Sequence, residues 1–99
     1  MTAHEREMAL DVLRRHKQEF ARQYGVTQLG VFGSVARGDA TPESDVDVVV
    51  QMTEPDLFSM VHMKDTLEES LHRRVDIVRY REEMNAFLKK WIDREAVYV

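Results

Sequence analysis

The feature that most constrains the fold is the run at residues 45–51, which reads Asp-Val-Asp-Val-Val-Val-Gln. β-Branched side chains favour extended backbone, and successive side chains of a strand point to opposite faces. The run therefore predicts a strand with one face directed into the core, formed by Val46, Val48 and Val50. The two aspartates share the other face.

Periodicity elsewhere in the chain predicts alternating helices and strands. Apolar residues at helical spacing predict helices over residues 3–23, 56–71 and 82–94, and a short helix ends at Gly38 after about residue 37. β-Rich or alternating runs predict two more strands, at residues 26–32 and 74–80. We therefore expect an α/β (α+β) fold, with a small mixed β-sheet and helices packed mainly on one face.

Several local details follow from the same patterns. Ser34 is placed to cap the short helix, and Pro55 suits the first turn of helix 56–71. The apolar stripe of that helix is predicted to be Leu57, Met60, Val61, the Lys64 stem, Leu67 and Leu71. In the last helix, Phe87 and Trp91 are expected in the core. The apolar tail at residues 96–99 is either packed or an exposed interaction patch.

Length and charge limit the function classes. A chain of 99 residues predicts one domain, residues 1–99. With 18 acidic and 14 basic residues, the net charge of −4 argues against tight nucleic-acid binding. A local basic cluster stays open as an alternative, at Arg73, Arg74, Arg79 and Arg81. The absence of cysteine excludes thiolate metal sites, and without a long apolar segment we expect a cytoplasmic protein with no membrane contact.

The first candidate for chemistry is the turn at Gly33-Ser34, where a predicted strand ends and a helix begins. Glycine permits close approach of a phosphate to the backbone, and the first amides of a helix, with the Ser34 hydroxyl, are donors to phosphate oxygens. A simple helix cap explains the same two residues equally well.

The second candidate is the pair Asp45 and Asp47. Alternate residues of a strand point the same way with Cα atoms about 6.5 Å apart, so the two carboxylates repel each other unless a cation lies between them. Oxygen ligands favour magnesium, with manganese as the alternative. Acidic residues facing solvent at the start of a strand are the competing explanation.

The third candidate is Asp76, in the run Arg-Val-Asp-Ile-Val. Aspartate is disfavoured inside strands. If this strand lies beside the one that carries Asp45, its carboxylate reaches the same metal site; otherwise it is an ordinary charge on an edge strand. The three candidates together indicate a two-metal site for phosphoryl or nucleotidyl transfer.

The motif Gly33-Ser34-Val35-Ala36-Arg37-Gly38-Asp39, followed by Ser44-Asp45-Val46-Asp47, resembles the signature of the polymerase-β-like nucleotidyltransferase superfamily. It is most similar to the minimal nucleotidyltransferases, the MNT antitoxin-like group. The resemblance implies that Gly33 and Ser34 hold nucleotide phosphates and that Asp45 and Asp47 bind two magnesium ions. Asp76 would complete the metal site and help to deprotonate the nucleophile.

The resemblance also assigns Arg37 to the phosphates, although a surface ion pair with Asp39 or Glu43 accounts for it as well. Larger members of the superfamily carry an additional helical domain for the acceptor, for which 99 residues leave no room. We therefore expect the acceptor site to come from a partner in a hetero-oligomer, or from a homodimer.

Minimal nucleotidyltransferases are typically paired with a HEPN-domain protein, often a ribonuclease toxin. The resemblance implies that this chain is the antitoxin and transfers AMP from ATP to a toxin tyrosine. The HEPN signature, an arginine followed by histidine after four to six residues, does not occur in the sequence. Two alternatives remain: a non-catalytic module that blocks the toxin by contact, and an adenylyltransferase acting on a small molecule such as an aminoglycoside.

Overall fold

A computed structural model describes residues 2–99 of the chain. In chain order, the elements are α1 (Thr2–Tyr24), β1 (Val26–Phe32), α2 (Gly33–Arg37), β2 (Val46–Met52), α3 (Leu57–Leu71), β3 (Val75–Arg79), α4 (Ala86–Glu95) and β4 (Val97–Tyr98). The strands form one sheet in the order β3-β2-β1-β4. Because β1 runs antiparallel to β2 and β4 while β2 and β3 are parallel, the predicted mixed sheet is confirmed.

The helices divide unevenly between the two faces of the sheet. The larger core cluster joins α1 and α3 to one face, where the three alternate valines of β2 are 2% exposed or less, as predicted. A smaller cluster of Phe32, Val49 and Ile92 packs α4 against the other face. Helices therefore lie mainly on one face, and α4 covers part of the second.

The C-terminal tail completes the sheet as β4. Gly30 pairs with Tyr98, and the Val99 amide donates to the Leu29 carbonyl oxygen at 2.9 Å. A Cβ on Gly30 would lie 2.6 Å from the Val97 carbonyl oxygen, so this close pairing requires glycine in β1. The tail is thus part of the fold rather than a free interaction patch.

The start and the buried face of α3 differ from the prediction. Asp56 caps the helix by accepting a hydrogen bond from the Phe58 amide at 3.0 Å, so Pro55 precedes the cap and lies outside the first turn. Met63 and Leu67 are buried, whereas the predicted stripe residues Leu57 and Val61 are 79% and 52% exposed. The stripe prediction was wrong at its N-terminal end, where Leu57 lines an open cavity with Ile77 and Val78 of β3 and is not buried in the core.

α4 shows a similar difference. Ile92 is fully buried, but Phe87 is 85% exposed, so its predicted core position was wrong. Trp91 is 39% exposed and packs edge-to-face on Phe32 outside both core clusters, so its predicted core position was wrong as well. The smaller cluster needs only one stripe of α4, and the remaining large apolar side chains face solvent. Among residues 2–99, no helix has both the length and the apolarity that a bilayer crossing requires.

Candidate metal and phosphate site

The sheet brings the three predicted aspartates to one end of β2 and β3. Asp45 directly precedes β2, and in the parallel register Asp47 is the partner of Asp76. On its other side, Asp47 is opposite Phe32, the last residue of β1 before the Gly33 turn. The condition set for Asp76, a strand adjacent to the one that carries the aspartate pair, is therefore met.

Electrostatics at this end of the sheet centre on Asp47, which is half-buried. Burial, and then the neighbouring charges of Asp76 and Asp45, raise the pKa of Asp47 to about 6, while Arg37 opposes the rise. The charges of Asp76 and Asp45 are thus close enough to disfavour the ionised form of Asp47. A divalent cation among them would remove this penalty, and the oxygen-only donor set suits magnesium or manganese.

Asp45 has a second partner that the sequence did not indicate. Its Oδ1 lies 3.3 Å from the Nε of Arg74, whose side chain is 83% exposed. Within residues 2–99, no three His, Cys, Asp or Glu side chains already form a group arranged to hold a metal. Arg74 thus neutralises part of the Asp45 charge in the structure, at one of the two carboxylate oxygens. Sequence alone grouped this arginine with a solvated basic cluster.

Gly33 fits tightly against the same carboxylate. Its φ of +75° lies in the left-handed region, and a Cβ built there would be 2.2 Å from Asp47 Oδ2. Backbone and carboxylate therefore occupy space that any other residue would fill. Because residue 33 is glycine, the turn after β1 can lie in direct contact with the predicted metal site.

The predicted capping role of Ser34 was wrong. The short helix α2 begins at Gly33, Phe32 occupies the N-cap position, and no side chain caps the helix. Ser34 instead lies within the first turn of α2, one residue after its first residue. Gly38 ends the helix in the left-handed conformation, as predicted. The first amides of α2 are consequently left without a side-chain acceptor.

Arg37 lies at the end of α2 in two ion pairs. Its Nε is 3.2 Å from an Asp39 carboxylate oxygen and its Nη1 is 3.0 Å from Glu95 Oε1. Of the two surface partners considered from the sequence, Asp39 is present and Glu43 is not. These carboxylates raise the pKa of Arg37, through hydrogen bonds to Asp39 first and then Glu95. The guanidinium is close enough to Asp47 to favour its ionised form.

Residues 13–99 match the nucleotidyltransferase domain family. MntA of Thermococcus cleftensis, a protein adenylyltransferase, is 39% identical over 89 residues, which make up 89% of each chain. A Methanocaldococcus jannaschii relative, provisionally named a protein adenylyltransferase, is 36% identical over 90 residues, or 90% of this chain and 92% of the relative.

Solved structures give a consistent result. A provisionally named minimal nucleotidyltransferase has a TM-score of 0.70 at 35% identity, covering 89% of this chain and 93% of that chain. A toxin–antitoxin crystal structure with AMP-PNP also reaches 0.70, at 19% identity over 94% of this chain and 70% of that one. The second likeness shows the fold alone. The polymerase-β-like fold predicted from the sequence is confirmed.

Proposed function

This chain belongs to the nucleotidyltransferase domain family and is a nucleotidyltransferase, and we propose that it transfers AMP from ATP to a hydroxyl group of a partner HEPN-domain toxin. The acceptor is a tyrosine hydroxyl, the reaction depends on magnesium, and the modification makes the chain the antitoxin of the pair. The relative MntA bears the name of a protein adenylyltransferase, which supports a protein acceptor.

One observation carries the proposal: the Asp47 carboxylate lies between the Gly33 turn on one side and Asp76 on the other. The turn supplies the first backbone amides of α2, which no side chain caps and which suit nucleotide phosphates, and the adjoining carboxylates suit divalent cations. A solvent-facing acidic pair would not require a glycine without space for a Cβ. The two halves of a nucleotidyl-transfer site are thus in direct contact.

Each residue then has a distinct task. Asp45 and Asp47 would hold the magnesium ions, and Asp76 would complete their site and help to deprotonate the attacking hydroxyl. When bound, the ions neutralise phosphate charge and lower the pKa of the hydroxyl. Gly33 and Ser34 donate hydrogen bonds to the terminal phosphates.

Arg37 exchanges its carboxylate partners for phosphate oxygens when the nucleotide binds. In the transfer step, the acceptor oxygen forms a bond to the α-phosphorus while the bond from that phosphorus to the bridging oxygen breaks. Pyrophosphate leaves with the released electron pair, and the hydroxyl proton passes to Asp76 and on to solvent. The balance requires no further reactant.

A protein acceptor is supported by the surface of the molecule. Three large apolar side chains on the first turns of α3 and α4 are each at least 79% exposed: Leu57, Phe58 and Phe87. Large apolar side chains left exposed on two helices are candidates for protein–protein contacts. The same surface supports the competing function, inhibition of the toxin by contact alone, so an experiment must separate binding from transfer.

Intact-mass spectrometry of the HEPN protein, incubated with this chain, ATP and magnesium, separates them. We expect a gain of one or more AMP masses, lost in the Asp45→Asn/Asp47→Asn variant and retained in the control Asp65→Asn, which changes an exposed aspartate of α3. An unmodified toxin held silent in a stable complex would support inhibition by contact. Transfer to an aminoglycoside, with the toxin unmodified, would favour a small-molecule acceptor.

A further inference from the structure

A half-buried arginine connects three distant parts of the chain. Arg73 lies between α3 and β3 with 18% of its side chain exposed, and one guanidinium nitrogen pairs with Glu5 of α1. The other, Nη2, donates to the carbonyl oxygens of Thr41 and Ser44, at 2.8 Å and 2.5 Å. Arg73 therefore joins the first helix, the loop before β2 and the turn before β3.

Both segments joined to Arg73 lead directly into the metal site. The turn from Thr41 to Ser44 closes on itself, since the Ser44 amide donates to the Thr41 carbonyl oxygen at 3.0 Å, and the next residue is Asp45. Arg73 itself is three residues before Asp76. The side chain contacts neither carboxylate, so any effect on the site acts through backbone position.

The ion pair between Arg73 and Glu5 is not expected to contribute mainly to the stability of the fold. Replacing a buried ion pair with apolar residues of similar volume is often neutral or stabilising, by about 1–4 kcal/mol. Here the Nε of Arg73 is also buried without a partner among residues 2–99, which carries a further cost. The planar guanidinium provides what neither an apolar side chain nor lysine offers, two nitrogens held in fixed directions, one toward Glu5 and the other toward both carbonyl groups.

We propose that Arg73 is a positioning residue that sets the distance of Asp45 from Asp76 and thereby makes the site competent to bind its divalent cation. The proposal rests on the metal-dependent function proposed above. Glu5 fixes the guanidinium from α1, so the first helix is part of the same support. Outer residues that orient metal ligands typically contribute about 10–100-fold in metal affinity or activity.

The decisive test measures Mn²⁺ binding by electron paramagnetic resonance, in the presence of a non-hydrolysable ATP analogue. The variant Glu5→Leu/Arg73→Met removes both charges and leaves no unpaired ion. We expect it to melt close to the wild-type temperature but to bind Mn²⁺ about tenfold more weakly. The control Arg79→Met, which changes a β3 arginine remote from the loop, should bind Mn²⁺ as the wild type does.

A second variant keeps the test informative if the double variant does not fold. Arg73→Lys retains the charge opposite Glu5 but has a single nitrogen for Glu5 and both carbonyl oxygens. We therefore expect an intermediate loss of Mn²⁺ affinity. Full Mn²⁺ affinity in either folded variant would overturn the positioning role while leaving the proposed function intact. If the wild type showed no Mn²⁺ binding sensitive to Asp47→Asn, the metal site and the positioning role would both be rejected.

Discussion

Replacing Asp47 with asparagine should stabilise the metal-free protein. The ordinary pKa of the carboxyl is 3.8, and in the folded chain it is raised to about 6 by burial and by the two neighbouring aspartates. Ionisation is therefore more costly in the folded than in the unfolded state. Asparagine has nearly the same shape and never ionises, so the substitution removes this cost.

The size and pH window of the effect follow from the pKa. A rise of about two pH units corresponds to roughly 3 kcal/mol, and screening by water at this half-buried site reduces it to about 1–2 kcal/mol. Below the unfolded pKa both states are protonated and no penalty exists. As pH rises from about 4 to 6, Asp47 loses its proton in the unfolded chain before it does so in the folded chain, and the stability of the wild type falls. The asparagine variant therefore has its full stability advantage over the wild type above pH 6.

Thermal unfolding followed by circular dichroism in EDTA measures this difference. For a domain of this size, about 1.5 kcal/mol corresponds to a rise in Tm of about 6–12 °C, expected for Asp47→Asn at pH 8 and mostly absent at pH 4. Asp65→Asn, on an exposed part of α3, is the matched control and should show no gain at either pH. An equal Tm difference at both pH values, or none at pH 8, would refute the electrostatic reasoning.

Three further perturbations test the surroundings of the site. Gly33→Ala should lower Tm, since a left-handed φ costs an alanine about 1–2 kcal/mol. It should also weaken ATP binding, measured by calorimetry, because the added Cβ displaces Asp47. Unchanged ATP affinity would mean that the turn does not contact the nucleotide. Arg74→Ala should raise Mg²⁺ affinity a few-fold in the same assay with little change in Tm, because the competing cation is removed; weaker binding would contradict this. Phe58→Ser should reduce capture of the HEPN partner, whereas Met8→Ser, on the exposed side of α1, should not; equal capture would place the interface elsewhere.

The parts of the fold that were predictable depend on short-range patterns. Alternation of valine and aspartate in β2 and β3 showed which side chains share a face, and the register then placed Asp47 beside Asp76. The faces of α3 and α4 were not predictable, since both helices carry more large apolar residues than their cores accept. Met63, which is outside the predicted stripe, is buried, whereas the stripe residue Leu57 is exposed.

The ion pairs around the site were not predictable from local pattern. Arg37 pairs with Glu95 across 58 positions, and Arg73 pairs with Glu5 across 68. Charged residues at such separations leave no periodic signal, because either partner alone looks like an ordinary surface charge. Only the tertiary arrangement shows that Arg37 lies near Asp47 and that Arg73 holds the loop that precedes Asp45.

The contact between Gly33 and Asp47 makes the two positions dependent on each other over evolutionary time. A side chain at position 33 fits only if residue 47 becomes shorter, and shortening residue 47 removes a carboxylate from the site. No single substitution can therefore enlarge the glycine while the aspartate is under selection. In a descendant that retained only partner binding, the contact would be lost together with the carboxylate, and only the left-handed φ would still favour glycine at position 33.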